Sequence, residues 1–247
     1  MKKLVIFGGT TEGRELSCAL AAEGIRATVW VATPYGSAQQ GRTEGLTVCT
    51  GRLDRPRMEE VLTGAALCVD ATHPYAVEAS ANIRAACAGA GVEYLRLLRP
   101  ASPLPPDALD APDASGAVRL LEQTQGPVLV ATGAKELAAF APLGGERLYA
   151  RVLPTHASLD ACAAAGIPAG HIIAMQGPFS AALNRAMLEQ YGIRWLVTKD
   201  GGAPGGFAEK ADAARAAGAR LVVIRRPREA GASYQAVLTR CREVMAP

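Results

Sequence analysis

Chemistry first becomes legible at Gly8-Gly9-Thr10-Thr11-Glu12-Gly13, which follows directly on the run Lys3-Leu4-Val5-Ile6-Phe7. The run is a buried-strand signal, and a helix opens at Arg14-Glu15-Leu16. Strand, glycine turn and helix start make an anion site, because unpaired backbone N–H groups and the helix dipole point at one place. Against the dinucleotide pattern G-x-G-x-x-G, the chain offers Gly8, Thr10 and Gly13, with threonine in the middle position. A nucleoside-triphosphate loop is excluded, since Arg14 and Glu15 stand where Lys and Ser/Thr are required. The second strand ends Trp30-Val31-Ala32-Thr33 without an acid for a ribose 2′-hydroxyl. That favours NADPH, with NADH left open, and makes Thr33, Ser37 and Arg42 candidates for the 2′-phosphate.

Further polar segments follow other apolar runs. Asp70-Ala71-Thr72-His73-Pro74-Tyr75-Ala76 sits after a fourth strand, at the edge where open α/β sheets bind ligands. His73 has two open readings, a contact to nicotinamide or substrate, or a ring that caps the next helix or is satisfied by backbone. In the second half, Thr132-Gly133-Ala134-Lys135-Glu136, Gln176-Gly177-Pro178-Phe179-Ser180 and Lys199-Asp200-Gly201-Gly202 all follow strands, and Gly205-Gly206 precedes Glu209-Lys210. Any one of these reads as a solvated helix start. Three on one edge of a parallel sheet point to a site whose lysines hold carboxylates as point charges.

The elements that carry these loops alternate from end to end. Strands are expected at 3–7, 26–32, 46–50, 66–71 and 93–98, with helices at 11–23, 54–63 and 75–89 and a longer connection at 34–45. Five prolines within 100–113 break the pattern, since proline suits neither helix interiors nor central strands. It resumes with strands near 127–132, 147–153, 171–175, 194–199 and 220–225. Helices are expected near 134–141, 156–165, 180–191, 207–217 and 232–245. The reading is α/β, with two doubly wound, mainly parallel sheets. Residues 1–99 would bind the dinucleotide, 100–113 would link, and 114–247 would form the substrate domain.

Composition narrows the field. Of 247 residues, 49% are hydrophobic and 20% charged, an ordinary globular balance. A net charge of +3 is too mild for nucleic-acid binding yet suits a polyanionic small molecule. Gly8 and Gly9 interrupt the first apolar run far short of a membrane span, and no targeting segment is visible. The six cysteines are scattered without a CxxC pair, which indicates neither zinc nor a disulfide framework and suits the cytoplasm. No metal site is expected. No Tyr-x-x-x-Lys, G-x-S-x-G or H-E-x-x-H occurs, and there are only three histidines.

These segments, with Tyr94-Leu95-Arg96-Leu97, Arg151-Val152-Leu153-Pro154 and Ala174-Met175-Gln176, closely resemble the precorrin-6A reductase family along nearly the whole chain. Departures stand at Leu98, Ala134 and Gly201. The resemblance implies two Rossmann-like domains and an NAD(P)H-dependent oxidoreductase of cobalamin biosynthesis. Its reaction would reduce one CH–CH double bond of precorrin-6A, or cobalt-precorrin-6A, to the corresponding precorrin-6B. The tetrapyrrole's acetates and propionates would meet Lys135, Arg151, Lys199 and Lys210, beside Gln176, Gly177, Pro178, Phe179, Ser180 and Asp200, in a site expected between the domains. Gly8–Gly13, Thr33, Ser37, Arg42, His73, Pro74 and Tyr75 would hold the cofactor. Hydride delivery to an iminium-like carbon needs little acid catalysis, so His73 is the one candidate proton donor. The rivals are a non-catalytic NAD(P) sensor and a sugar-nucleotide reductase or epimerase. The first would not need the lysine-bearing loops, and the second should show a Tyr/Lys pair.

Overall fold

The computed structural model describes residues 2–98, 102–202, 205–226 and 229–246. It divides into two compact units, one of residues 1–100 with 227–247, the other of residues 101–226.

The first unit is built on β1 (Lys3–Phe7), β2 (Ala27–Val31), β3 (Leu46–Thr50), β4 (Ala65–Asp70) and β5 (Glu93–Arg96). Their order is β3-β2-β1-β4-β5, and every pairing is parallel. The chain therefore winds outward from β1 to β3, returns, and winds outward the other way from β4. Helices α1 (Thr11–Ala22), α2 (Pro34–Gln40), α3 (Arg55–Leu62) and α4 (Val77–Ala90) make the connections. Strand β1 is apolar and buried from Leu4 to Phe7 because it is covered on both faces. Leu4 and Ile6 meet Leu16 and Leu20 of α1, whereas Val5 and Phe7 meet Met58, Leu62, Ile83 and Ala86 of α3 and α4.

The second unit contains β6 (Leu109–Ala111), β7 (Val128–Val130), β8 (Leu148–Val152), β9 (Ile172–Ala174), β10 (Trp195–Lys199) and β11 (Arg220–Ile224), ordered β6-β11-β10-β7-β8-β9 and again all parallel. Its helices are α5 (Ala114–Glu122), α6 (Leu137–Phe140), α7 (His156–Ala164), α8 (Ala181–Gln190) and α9 (Phe207–Ala217). Met187, Leu188, Ala213 and Ala214 of α8 and α9 pack on Leu129, Leu196 and Leu221 of the sheet.

Helix α10 (Tyr234–Met245) departs from the expected division. It belongs to the first unit, where Val237, Leu238 and Cys241 join Leu4, Leu16 and Leu20 in one core. Arg242 pairs with Glu23, and Arg240 with Glu93. The reason is cover, because the face of the first sheet that carries α1 would otherwise leave apolar surface in water.

Three further expectations are corrected. The connection at 34–45 contains α2, started by Thr33, whose side chain accepts the Gly36 N–H at 3.1 Å, and by Pro34 in the first turn. The expected linker 100–113 contains β6, paired with β11, while its residues 100 and 101 lie outside the described residues. The helix at 134–141 is a 3₁₀ turn at Ala134–Glu136 followed by the four-residue α6. No helix among the described residues is long and apolar enough to cross a membrane.

Candidate functional site at two sheet switch points

Ligand crevices in doubly wound sheets lie beyond the carboxyl ends of the two strands where the winding reverses. In the first unit those strands are β1 and β4. The loop after β1 holds Gly8, Gly9 and Thr10, and the loop after β4 runs from Ala71 to Ala76. They are tied directly, since Thr10 Oγ1 donates to Ala71 O at 2.9 Å while accepting the Gly13 N–H at 3.1 Å. Thr10 is thus the N-cap of α1. Gly13 permits close packing, because a Cβ there would stand 2.7 Å from Ala71 Cβ. Gly8 is buried under Val29. Gly9 is exposed, with φ +131° and open space where a Cβ would be. Thr11 and Glu12 form the half-buried first turn of α1.

The loop after β4 is held from below. Asp70 is fully buried, and its Oδ1 accepts from Thr72 N at 3.0 Å, Thr72 Oγ1 at 2.7 Å and Arg96 Nη1 at 3.0 Å. Its Oδ2 accepts from Tyr94 Oη at 2.8 Å. Burial, with the Asp70 charge beside it, pushes the Tyr94 hydroxyl above its usual range, which keeps it a donor. Arg96 also donates to Thr72 O at 2.9 Å and, through Nε, to Glu229 Oε2 at 2.8 Å. His73 is exposed on this braced loop, its Nδ1 accepting the Tyr75 N–H at 3.4 Å, while Pro74 is buried and Tyr75 half-buried. The ring thus takes a backbone N–H of its own loop, ahead of α4, rather than an N–H of the helix.

In the second unit the winding reverses between β7 and β10. Across that point Lys199 Nζ, at the end of β10, pairs with Glu136 Oε1 at 2.7 Å. Thr132 Oγ1, Glu136 Oε2 and Glu209 Oε2, all belonging to these strand-end loops or to α9, are buried without a hydrogen-bond partner among the described residues. Two of the three are carboxylate oxygens, which are acceptors only, so the capacity left open at this edge is mainly for hydrogen-bond donors. Lys135 is exposed on the loop after β7. Arg151 of β8 is buried, donates to Asn184 Oδ1 at 2.6 Å and lies 4.5 Å over the Phe179 ring. Lys210 donates to Gly205 O at 2.6 Å, and burial, with the neighbouring Arg151 charge, pushes its amine down to about 8.

Ser180 and Asp200, also expected as ligand contacts, are likewise engaged in the fold. Ser180 caps α8 through Leu183 N. Asp200 accepts from Gly202 N, Ser102 N and Arg226. Burial raises its carboxyl, but the Arg226 and Ser102 hydrogen bonds prevail and hold it below the usual carboxylate range. It is the counterpart of Asp70, a strand-end carboxylate locked by an arginine and by the N–H two residues on. Gln176, Gly177 and Pro178 lie after β9, with Gln176 and Pro178 exposed.

Comparison with known proteins agrees over the same extent. The family model described as precorrin-6x reductase CbiJ/CobK matches residues 3–245. The chain belongs to the precorrin-6x reductase family. It is 38% identical over 234 residues to the cobalt-precorrin-6A reductase of Salmonella typhimurium, covering 91% of this chain and 87% of that protein. With the cobalt-precorrin-6A reductase of Priestia megaterium it shares 32% over 239 residues, covering 94% and 93%. With the precorrin-6A reductase of Rhodobacter capsulatus it shares 30% over 236 residues, covering 92% and 89%. The solved structure of CobK precorrin-6A reductase superposes with a TM-score of 0.76 at 26% identity, covering 99% of this chain and 98% of that one.

Membership makes the chain an oxidoreductase of cobalamin biosynthesis acting on a CH–CH bond, which sets aside the sensor and sugar-nucleotide readings. A reductase of this family works with a nicotinamide cofactor. The residues present fit that group. Gly9 leaves open space over the glycine turn, and the α1 N-terminus stands behind it.

The precorrin-6x reductase scaffold also separates the expected 2′-phosphate contacts. Thr33 and Ser37 follow the carboxyl end of β2, with the Thr33 hydroxyl engaged in capping α2. Arg42 lies beyond the far end of α2 from Thr33, although it lines one cavity with Pro34 and Ser37. Helix α2 carries the chain back across the sheet, so Arg42 precedes the amino end of β3, at the edge opposite the glycine turn. Pattern reading missed Arg52, which follows the carboxyl end of β3 on the same edge as Thr33. It also missed the exposed apolar side chains at these edges, Tyr35 and Val77 in the first unit and Leu153, Met175 and Leu183 in the second.

Proposed function

We propose that this reductase uses NADPH, held by the first unit, to reduce precorrin-6A or its cobalt form, whose carboxylates are held by the second unit's strand-end loops. The observation that carries this reading is that each sheet's switch point bears one half of the required chemistry. A glycine turn backed by a helix N-terminus lies at β1/β4, and the strand-end cations Lys135 and Lys199 lie at β7/β10. When bound, NADPH supplies the hydride. Gly8, Gly9, Thr10 and the first turn of α1 with Thr11, Glu12 and Gly13 would carry its pyrophosphate, Thr33 and Ser37 its ribose edge, and His73, Pro74 and Tyr75 its nicotinamide end. His73 is the first unit's candidate proton donor. Lys135, Lys199, Arg151 and Lys210 would bind the macrocycle's acetates and propionates, while Gln176, Gly177, Pro178, Phe179 and Ser180 line the approach. Asp200 acts by holding its loop. Six free cysteines, four of them buried, support a reducing, cytoplasmic setting.

The decisive experiment is anaerobic incubation with precorrin-6A, its cobalt form, NADPH and NADH in each combination, following cofactor oxidation and product mass. Turnover with NADH at the higher kcat/KM would refute the cofactor assignment.

Two results are expected at the substrate loops. Lys135→Ala should raise KM for the tetrapyrrole by about tenfold, the scale of one charge-assisted hydrogen bond, with NADPH affinity nearly unchanged. Lys199→Ala should exceed it, because losing Lys199 also leaves the Glu136 carboxylate facing the ligand's carboxylates. Loss of NADPH binding with KM for the tetrapyrrole intact would reverse the roles of the two units.

The second result is a pH dependence. Lys210 is cationic below about 8 and neutral above it, whereas carboxylates stay ionised throughout. KM for the tetrapyrrole should therefore be flat below pH 8 and rise above it. Lys210→Arg should abolish the rise, and a rise that persists in that variant counts against Lys210.

A further inference from the structure

Two exposed cations stand at the first unit's nucleotide edge without a side-chain hydrogen bond or ion pair among the described residues, Arg14 in the first turn of α1 behind the glycine turn and Arg52 beyond β3. Strands β2 and β3 run parallel in register, with Val31 beside Thr50, and Gly51 N donates to Val31 O at 2.9 Å. Gly51 then turns the chain with φ +145° and leaves open space where a Cβ would stand. Arg52 is the next residue, so it lies alongside Ala32 and Thr33 at the carboxyl edge. It is exposed and makes no hydrogen bond or ion pair among the described residues. The neighbouring charges are all committed. Arg55 pairs with Glu59, Arg57 with Glu60, and Asp54 caps α3 through Arg57 N.

In dinucleotide-binding sheets the adenosine ribose lies at the end of the second strand, where an acid selects the free 2′-hydroxyl. Here that end is Val31-Ala32-Thr33, with no acid. We propose that Arg52 is the residue that recognises the 2′-phosphate of NADPH and sets cofactor choice, in place of Arg42, which stands at the opposite edge. The guanidinium is planar, permanently charged and matched to two phosphate oxygens at once. Gly51 has no side chain to stand between Arg52 and the strand end. Thr33, whose hydroxyl caps α2, adds a polar neighbour but no charge. The proposal rests on the NADPH reading above.

The test is equilibrium titration of the full chain with NADPH and with NADH, for the wild type, Arg52→Ala, Arg52→Lys and Arg42→Ala. The wild type should bind NADPH more tightly. Arg52→Ala should weaken NADPH by about 10- to 100-fold, the scale of a charge-assisted hydrogen-bond pair, and leave NADH unchanged. Arg52→Lys should restore part of the difference, and Arg42→Ala should change neither. Retention of the wild-type preference by Arg52→Ala, or its loss in Arg42→Ala, overturns the assignment to Arg52 while leaving the NADPH reading intact. A wild type that binds both cofactors equally overturns both.

Discussion

Asp70→Ala should lower the unfolding free energy by about 3–5 kcal/mol, the cost of breaking a buried ion pair from one side. Asp70 is fully buried and accepts four hydrogen bonds, from Thr72 N, Thr72 Oγ1, Arg96 and Tyr94. Its removal leaves the Arg96 guanidinium, 2% exposed at the side chain, with Glu229 as its remaining carboxylate. Thr72 N, Thr72 Oγ1 and Tyr94 Oη lose an acceptor in the same step, in part-buried surroundings. The loop that carries His73, Pro74 and Tyr75 loses its brace, so cofactor affinity should fall along with stability. Asp70→Asn should cost less, since its carbonyl oxygen can still accept from Thr72. Urea unfolding of the three proteins at one pH measures the series. An Asp70→Ala protein within about 1 kcal/mol of wild type would mean that the network is not structural.

What could be read in advance was what is local along the chain. The Lys3–Phe7 run, the glycine turn and the Val31-Ala32-Thr33 strand end each announce themselves within a dozen residues. The same is true of the caps. Thr33 followed by Pro34 was a visible helix start, and α2 was passed over because seven residues give too little periodicity to compete with a loop. Strand β6 was invisible for a different reason. Three residues between prolines become a strand only because β11 offers an open edge. Helix α10 has an unremarkable amphipathic pattern, and nothing in that pattern says which sheet it will cover. The covering need of the face that carries α1 decides it.

The site divides in the same way. The residues of the glycine turn are neighbours in sequence, so the crevice could be inferred from them. Assigning a cation to that crevice requires knowing which edge of the sheet it occupies. Arg42 is nearer than Arg52 to Thr33 along the chain, yet α2 and β3 each cross the sheet once, so two crossings bring Arg52 back and one takes Arg42 away. Asp200 shows the converse error. Its position at a strand end suggests a ligand contact, but its carboxylate is committed to Arg226, Ser102 and Gly202. Only the partners distinguish a strand-end acid that binds from one that braces.

Gly13→Ala should weaken cofactor binding by about 10- to 100-fold, although it adds one methyl group. The new Cβ would meet Ala71 Cβ at 2.7 Å, Thr10 Oγ1 at 3.3 Å and Ala71 O at 3.4 Å. Ala71 cannot retreat, because its N–H is bonded to Phe7 O at 2.8 Å and its Cβ lies in the core with Leu4, Ile6 and Val69. Helix α1 must move instead, and overpacking of this kind costs about 1–3 kcal/mol. Its movement pulls Thr10 from both of its hydrogen bonds, so the turn that fixes Gly9 loses its shape. Gly8→Ala is the informative comparison. Its nearest contact is the end of the Val29 side chain at 3.3 Å, which can yield by a few tenths of an ångström, so a smaller loss is expected. Gly9→Ala meets no neighbour but forces alanine to φ +131°, a backbone strain of about 1–3 kcal/mol. Calorimetric titration with NADPH, paired with thermal unfolding, ranks the three. If Gly13→Ala bound NADPH as tightly as Gly8→Ala, the close approach of α1 to β4 could not be what shapes the crevice.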